Sequence, residues 1–173
     1  MSGFELLAVV VFFLIGYWVV DFFWPKRKPA ASVIVRVTRR FEASPERVFD
    51  AWLDPQSAGK WLFATPTGQM VRVEIDPRTG GKFIFVDRRD GEDVEHTGEY
   101  LEMDRPRRLV FTFVVEKFSK QCSRVTVEFA PSDSGCELAL AHENVLPEYV
   151  GRTEAGWSGV LDGLAVALSP ERQ

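Results

Sequence analysis

The first apolar stretch of the chain is long and nearly free of charge. It reads FELLAVVVFFLIGYWVVDFFW from Phe4 to Trp24, and Leu6 to Val20 contains no charged residue. At about 1.5 Å per residue, a helix over residues 4–24 spans roughly 31 Å, which matches the hydrocarbon core of a bilayer. The pattern predicts a transmembrane anchor over residues 1–25, with the lipid bilayer as its partner.

Two other interpretations of this segment are a cleaved signal peptide and a buried helix of a soluble core. Signal peptides carry positive charge before their apolar stretch, whereas the only charged side chain that precedes this stretch is Glu5. A core helix would show a polar stripe, and this segment is apolar on all sides. We therefore favour the anchor.

The charges that follow the anchor predict its orientation. Lys26, Arg27 and Lys28 lie in a short basic linker, residues 26–31, that also contains Pro29. By the positive-inside rule the rest of the chain faces the cytoplasm, and these three cations can contact anionic headgroups at the membrane surface. Fully extended, the connection from Pro25 to Ser32 reaches only about 25 Å. We expect a single-pass membrane protein whose soluble domain stays beside the bilayer.

Beyond the linker the apolar pattern becomes periodic and predicts one domain over residues 32–170. Ser32–Phe41 alternates as a strand, Ser44 and Pro45 open a helix, and Gln56–Leu62 predicts a second, short helix. Trp157, Val160, Leu161, Leu164 and Leu168 recur at helical spacing within a long closing helix, Glu148–Leu168. The remaining predicted strands are Met70–Ile75, Lys82–Asp87, Val94–Met103, Arg108–Val115, Arg124–Phe129 and Glu137–His142.

This order of elements predicts an α+β fold in which an antiparallel sheet carries its helices on one face. Met70–Ile75 predicts Val71, Val73 and Ile75 inward. The Gly80-Gly81 pair predicts a hairpin loop and supplies the positive φ that such loops need. A turn around Ser132-Asp133 would place Cys136 opposite Ala130.

Composition narrows the class of protein. The chain is 46% hydrophobic with 14 Phe and 5 Trp, which favours a packed core over disorder. Its net charge is −4, and its basic residues form only small local clusters, whereas nucleic-acid binding normally needs a broad basic face. We therefore expect no nucleic-acid partner. Its two cysteines, Cys122 and Cys136, lie at opposite ends of a predicted hairpin, and we expect no disulfide bond.

Four stretches resemble a known family. They are FEASPERVFDAWLDP (41–55), Gly80-Gly81-Lys82-Phe83, GEYLEMDRPRRLVFTF (98–113) and GWSGVLDGLAVAL from Gly156. They resemble the START-like, or SRPBCC, superfamily with its helix-grip fold, and most closely the homologues of the heat shock protein 90 ATPase activator. The resemblance covers Ser32–Leu168. It implies a cavity between the closing helix and the concave sheet, where many relatives hold lipids, sterols or other apolar molecules. The co-chaperone activity belongs to proteins with an additional N-terminal domain, and we do not transfer it.

The alternation along the strands and the apolar spacing of the closing helix predict which residues would line such a cavity. The competing interpretation is that the same side chains fill the interior completely. The strand alternation places His96 and His142 on the inward face, where each could offer a polar contact to a ligand or accept a proton. We favour the interpretation that both are structural residues whose nitrogens are hydrogen-bonded within the protein. The candidate lining residues are Val71, Val73, Phe83, Phe85, His96, Tyr100, Phe111, Phe113, Val127, Leu138, Leu140, His142, Trp157, Leu161 and Leu164.

No metal-ligand spacing, phosphate loop, nucleophile elbow or serine-histidine-acid order is present, so we predict no cofactor, no metal and no catalytic residue. Our leading hypothesis is a non-catalytic, membrane-tethered START-like module that binds a hydrophobic small molecule or lipid. One alternative is an accessory or assembly subunit of a larger membrane complex, with other membrane subunits as partners. Another is a small-molecule enzyme, which requires His96 or His142 to line an open pocket.

Overall fold

The computed structural model describes residues 32–169, with Ser119 and Lys120 described by their backbone alone. The predicted anchor over residues 1–25 and the linker over residues 26–31, including Lys26, Arg27 and Lys28, lie outside this range. Within residues 32–169, no helix has the length and apolarity needed to cross a bilayer.

Seven strands and three helices make up the described chain. The helices are α1 (Pro45–Ala51), α2 (Pro55–Ala58) and α3 (Val150–Leu168), and a 3₁₀ turn over Pro147–Tyr149 precedes α3. The strands are β1 (Val33–Phe41), β2 (Gln69–Ile75), β3 (Lys82–Arg89), β4 (Glu92–Asp104), β5 (Arg108–Val115), β6 (Ser119–Ser132) and β7 (Gly135–Val145).

All seven strands form one antiparallel sheet in the order β1-β7-β6-β5-β4-β3-β2. Consecutive hairpins build β2 to β7, and β1 closes the far edge by pairing with β7, for example Val37 with Leu140. The predicted buried stripe of α3, from Trp157 to Leu168, belongs to the same core cluster as the inward residues of the sheet. The predicted α+β fold, an antiparallel sheet with a long closing helix, is confirmed.

The helix that follows β1 begins as the sequence predicts. The Ser44 side chain accepts a hydrogen bond from the Arg47 amide at 3.4 Å, and Pro45 occupies the first turn. Phe49 is buried and meets Phe129 of β6 edge-on, with ring centroids 5.2 Å apart. This cap and this aromatic contact fix α1 against the sheet.

The second predicted helix, Gln56–Leu62, is shorter than expected. Its helical part, α2, ends at Ala58, although Trp61 and Leu62 are buried as predicted. Phe63 has a φ of 61°, a left-handed conformation that a right-handed helix does not continue through. The chain has already left the helix before this residue, and the Phe63 side chain is buried.

Strands β1 and β2 are among those that depart from strict alternation. The prediction that Val71 points inward is wrong, since its side chain is 38% exposed. A β-bulge between Met70 and Arg72 shifts the register, so Met70 packs on the core in its place while Val73 and Ile75 keep their inward parity. A similar irregularity near the start of β1 leaves Val33 exposed.

The predictions for two turns need correction. In the β2–β3 loop only Gly80 has a positive φ, of 78°; Gly81 is required because a Cβ there would lie 2.1 Å from the Asp76 carbonyl oxygen. In the β6–β7 hairpin Ser132 pairs with Gly135, which places Cys136 opposite Pro131 rather than Ala130. Both cysteines are free, as expected.

Candidate functional site

The interior of the domain is divided into a filled end and an open end. Most of the predicted lining residues belong to the filled end, where they are at most 3% exposed and pack on one another. Val73 is half-buried at the edge of this cluster. For these positions the interpretation that side chains fill the space is correct. The filled set is Phe83, Phe85, Tyr100, Phe111, Val127, Leu138, Leu140, Leu161 and Leu164.

At the other end lies an open cavity of about 690 Å³. Residues 60–66, α3 from Arg152 to Gly163, and adjoining parts of β3 to β7 supply its walls. Its volume is in the range of pockets that hold small organic ligands. The predicted lining residues that reach it are His96, Phe113, His142 and Trp157.

An aromatic stack forms the floor of this cavity. The Phe63 ring is parallel to the His96 imidazole, with centroids 4.6 Å apart and an interplanar angle of 5°, and it stacks on Phe113 at 5.2 Å. Trp157 meets the Phe63 ring edge-on at 5.8 Å. A bulky residue with positive φ is unusual, and such strained positions concentrate at ligand sites. Sequence reasoning missed Phe63, because a left-handed φ leaves no trace in the apolar pattern.

Small residues on α3 leave the cavity empty on its helical side. Gly156, Gly159 and Gly163 line it, and a Cβ added to Gly156 or Gly159 would meet no atom within 4 Å. At Gly163 a Cβ would lie 3.1 Å from the Cβ of Trp61, so this glycine allows the helix to approach residues 60–66 closely. The glycine spacing in GWSGVLDG is the sequence signal that could have indicated an open helix face.

A chain of hydrogen bonds satisfies His142. The Trp157 indole Nε1 donates to Nδ1 of His142 at 2.9 Å, and the opposite nitrogen, Nε2, lies 2.7 Å from the Ser123 hydroxyl. Because indole can only donate, Nδ1 is the acceptor and the neutral ring carries its proton on Nε2, which donates to Ser123. The Ser123 hydroxyl in turn donates to the Phe113 carbonyl at 2.8 Å. His142 therefore donates to the serine and does not act as its base.

Burial keeps both histidines neutral at physiological pH. It lowers the pKa of His142 to about 4. Burial also lowers the pKa of His96 to about 4, with a further contribution from the positive charge of Arg89. Both nitrogens of His142 are paired, as the favoured structural role requires. His96 is different: its Nδ1 is buried and has no hydrogen-bond partner among the described residues.

A buried carboxylate attaches residues 63–65 to the sheet. Asp87, fully buried at the end of β3, accepts hydrogen bonds from the Thr65 hydroxyl at 2.8 Å and from Arg89 Nε at 2.5 Å. The Arg89 guanidinium also donates to the Phe63 carbonyl at 3.3 Å. These contacts position the aromatic floor. Across residues 32–169, no group of three or more His, Cys, Asp or Glu side chains is arranged to hold a metal ion.

Comparison with known proteins identifies the family. The model of the family described as Activator of Hsp90 ATPase homolog 1-like protein matches residues 42–169. This chain belongs to that family. No curated protein matches it. The match and the strand order confirm the START-like resemblance carried by the four quoted stretches.

Solved bacterial proteins share the fold. A protein from Chromobacterium violaceum is 27% identical, with a TM-score of 0.73 over 83% of this chain and 100% of that one. A Rhodobacter sphaeroides protein is 24% identical, with a TM-score of 0.70 over 82% of this chain and 95% of its own. An AHSA1-like protein from Aeromonas hydrophila is 22% identical, with a TM-score of 0.67 and coverages of 79% and 92%.

Proposed function

We propose that this protein is a membrane-tethered, non-catalytic module that binds a hydrophobic small molecule or lipid in the open cavity. The observation that carries the proposal is the cavity itself, about 690 Å³ in volume with an aromatic floor. Folds of this AHSA1/START-like type often bind hydrophobic ligands. An apolar ligand in this space would be removed from water against Phe63, Phe113 and Trp157, which is the main source of affinity for such molecules.

The chemistry of the cavity favours binding over catalysis. Both His96 and His142 line the open cavity, which is the condition that the enzyme alternative required. However, His142 donates its only proton to Ser123, and its other nitrogen is occupied by Trp157. His96, with a pKa of about 4, is a weak base at pH 7, far from the value that general base catalysis favours.

The tethered arrangement rests on the predicted anchor over residues 1–25, which lies outside the described residues. Within the domain, β1 begins at the end of the sheet where the cavity opens, since Val33 pairs with Val145 of β7 and Val145 lines the cavity.

Filling the cavity tests the proposal. We would purify the full chain in a mild non-ionic detergent and record native mass spectra of wild type, of the double variant Gly156→Leu/Gly159→Leu, and of Gly151→Leu. A Cβ at any of these glycines meets no atom within 4 Å, but Gly151 does not line the cavity. Replacing glycine within a helix also removes an entropic cost of about 0.5–1 kcal/mol per residue, so the variants should fold.

We expect an apolar molecule to accompany the wild type and the Gly151→Leu control, and to be lost from the double variant. Circular dichroism would verify that all three proteins have the same secondary structure. An empty wild-type protein that also fails to take up added fatty acid, or equal loading of all three proteins, would contradict the proposed binding.

A further inference from the structure

The charged residues around the cavity all carry the same sign. Those among its described lining residues are Lys60, Arg89 and Arg152, and none of the lining residues is Asp or Glu. The whole chain shows the opposite balance, with 25 acidic and 21 basic residues. The cavity therefore combines an apolar floor with cationic walls in an acidic protein.

Two of these cations are not neutralised by any carboxylate of the described residues. No ion pair within residues 32–169 involves Lys60 or Arg152. Elsewhere on the surface, arginines such as Arg88 and Arg105 are held by carboxylates at 2.7 Å. Arg36, Arg47, Lys82 and Arg124 also lack an ion pair among the described residues, but only Lys60 and Arg152 of these six line the cavity, where a ligand can meet their charge.

Arg152 is oriented by an aromatic ring and not by an acid. Its guanidinium carbon lies 4.2 Å from the centre of the Phe118 ring, whose side chain is 40% exposed and also lines the cavity. An aromatic ring in this position covers one flat face of the guanidinium and leaves the N–H groups at its edge available as donors. The same donors can form two parallel hydrogen bonds to a carboxylate or a phosphate.

The remaining polar groups of the wall add no competing charge. Arg89 is already paired with Asp87 and with the Phe63 carbonyl, so we assign it the positioning of the floor. His96 is 6% exposed and neutral at pH 7, and its buried Nδ1 has no hydrogen-bond partner within the described chain. An apolar ligand without charge would leave Lys60 and Arg152 unused, and a cationic one would be repelled.

From this arrangement we propose that the ligand is an anionic amphiphile, with its apolar part on the aromatic floor and its carboxylate or phosphate head held by Arg152 and Lys60. The proposal rests on the ligand-binding function proposed above and specifies its ligand class. In this arrangement the aromatic floor supplies most of the affinity, and the cationic rim, formed by Lys60 and Arg152, supplies the selectivity for an anion.

Matched ten-carbon probes test this assignment. We would titrate the full chain in a non-ionic detergent with decanoate, decyl phosphate, 1-decanol and decylamine, and follow tryptophan fluorescence, since Trp61 and Trp157 line the cavity. The test variant is Lys60→Gln/Arg152→Gln. The control is Arg47→Gln, which removes a surface charge on α1 outside the cavity.

We expect decanoate and decyl phosphate to bind more tightly than decanol, and decylamine to bind least. The double variant should lose about tenfold or more in affinity for the two anions, the effect of losing a charge-assisted hydrogen bond, while its affinity for decanol stays unchanged. The Arg47→Gln control should resemble wild type. Preference for decanoate or for decyl phosphate assigns the head group to the carboxylate or phosphate class.

The two proposals fail in different ways. If decanol binds as tightly as decanoate and the double variant changes neither, the anionic assignment is wrong and the hydrophobic cavity stands. If none of the four probes binds to wild type, the ligand-binding function itself is refuted. Equal loss of decanoate affinity in Arg47→Gln and in the double variant would show a non-specific charge effect and overturn the assignment.

Discussion

The two buried histidines make the stability of this domain depend on pH between about 4 and 6.5. The pKa of His96 and of His142 is lowered from 6.5 to about 4, chiefly by burial. In the unfolded chain each ring takes up a proton near pH 6.5, whereas in the folded state it does so only near pH 4. Between these values the unfolded state holds more protons, so the free energy of unfolding falls as the pH falls.

The size of the effect follows from the shift. A shift of one pKa unit corresponds to about 1.4 kcal/mol, so each histidine contributes about 3 kcal/mol that is present above pH 6.5 and lost by pH 4. At pH 4.5 the expected loss is about 2.5 kcal/mol per histidine, or roughly 5 kcal/mol for both. This is a large fraction of the typical 5–15 kcal/mol stability of a domain.

Urea unfolding of the full chain in a non-ionic detergent, followed by tryptophan fluorescence at pH 7.5 and 4.5, measures the loss. A His142→Asn variant should be less stable at pH 7.5 and should keep only about half of the pH dependence. A free energy of unfolding that changes by less than about 1 kcal/mol between the two pH values would refute the reasoning. So would a double variant, His96→Asn/His142→Asn, with the pH dependence of wild type.

Two further substitutions probe the contacts around the cavity. Trp157→Phe should cost about 1–3 kcal/mol in urea unfolding, because it leaves Nδ1 of His142 buried without a donor. Trp52→Phe is the control, since the buried Trp52 indole N–H has no partner among residues 32–169, and equal losses in the two variants would contradict a role for the hydrogen bond. Gly98→Ala should lower the free energy of unfolding by several kcal/mol, because its Cβ would lie 1.9 Å from the Thr112 carbonyl oxygen and 2.4 Å from the Phe83 ring. The control is Gly151→Ala, which has open space around it and should be neutral or slightly stabilising. A neutral Gly98→Ala would contradict this packing.

The sequence predicts the fold and the filled end of the interior because those features depend on local periodicity. Alternation along a strand determines which side chains share a face, so Phe83, Phe85 and Leu138 were correctly placed inward. The spacing of Trp157 and Leu161 on α3 did the same for the helix. The transmembrane anchor over residues 4–24 is also a local inference; it lies outside the described residues and stays a prediction.

The open cavity was decided by the tertiary structure. A cavity remains where segments that are distant in the sequence pack without filling the space between them, and no local sequence pattern predicts it. The positive φ of Phe63, the bulge that turns Val71 outward and the glycine face of α3 each depend on what packs opposite. The same is true of the cationic rim, because Lys60 and Arg152 are 92 positions apart in the chain and line one cavity only after the closing helix is in place. The sequence determined which residues are apolar and, where the alternation is regular, which way they face; packing determined where a bulge reverses that direction and where the interior was left open.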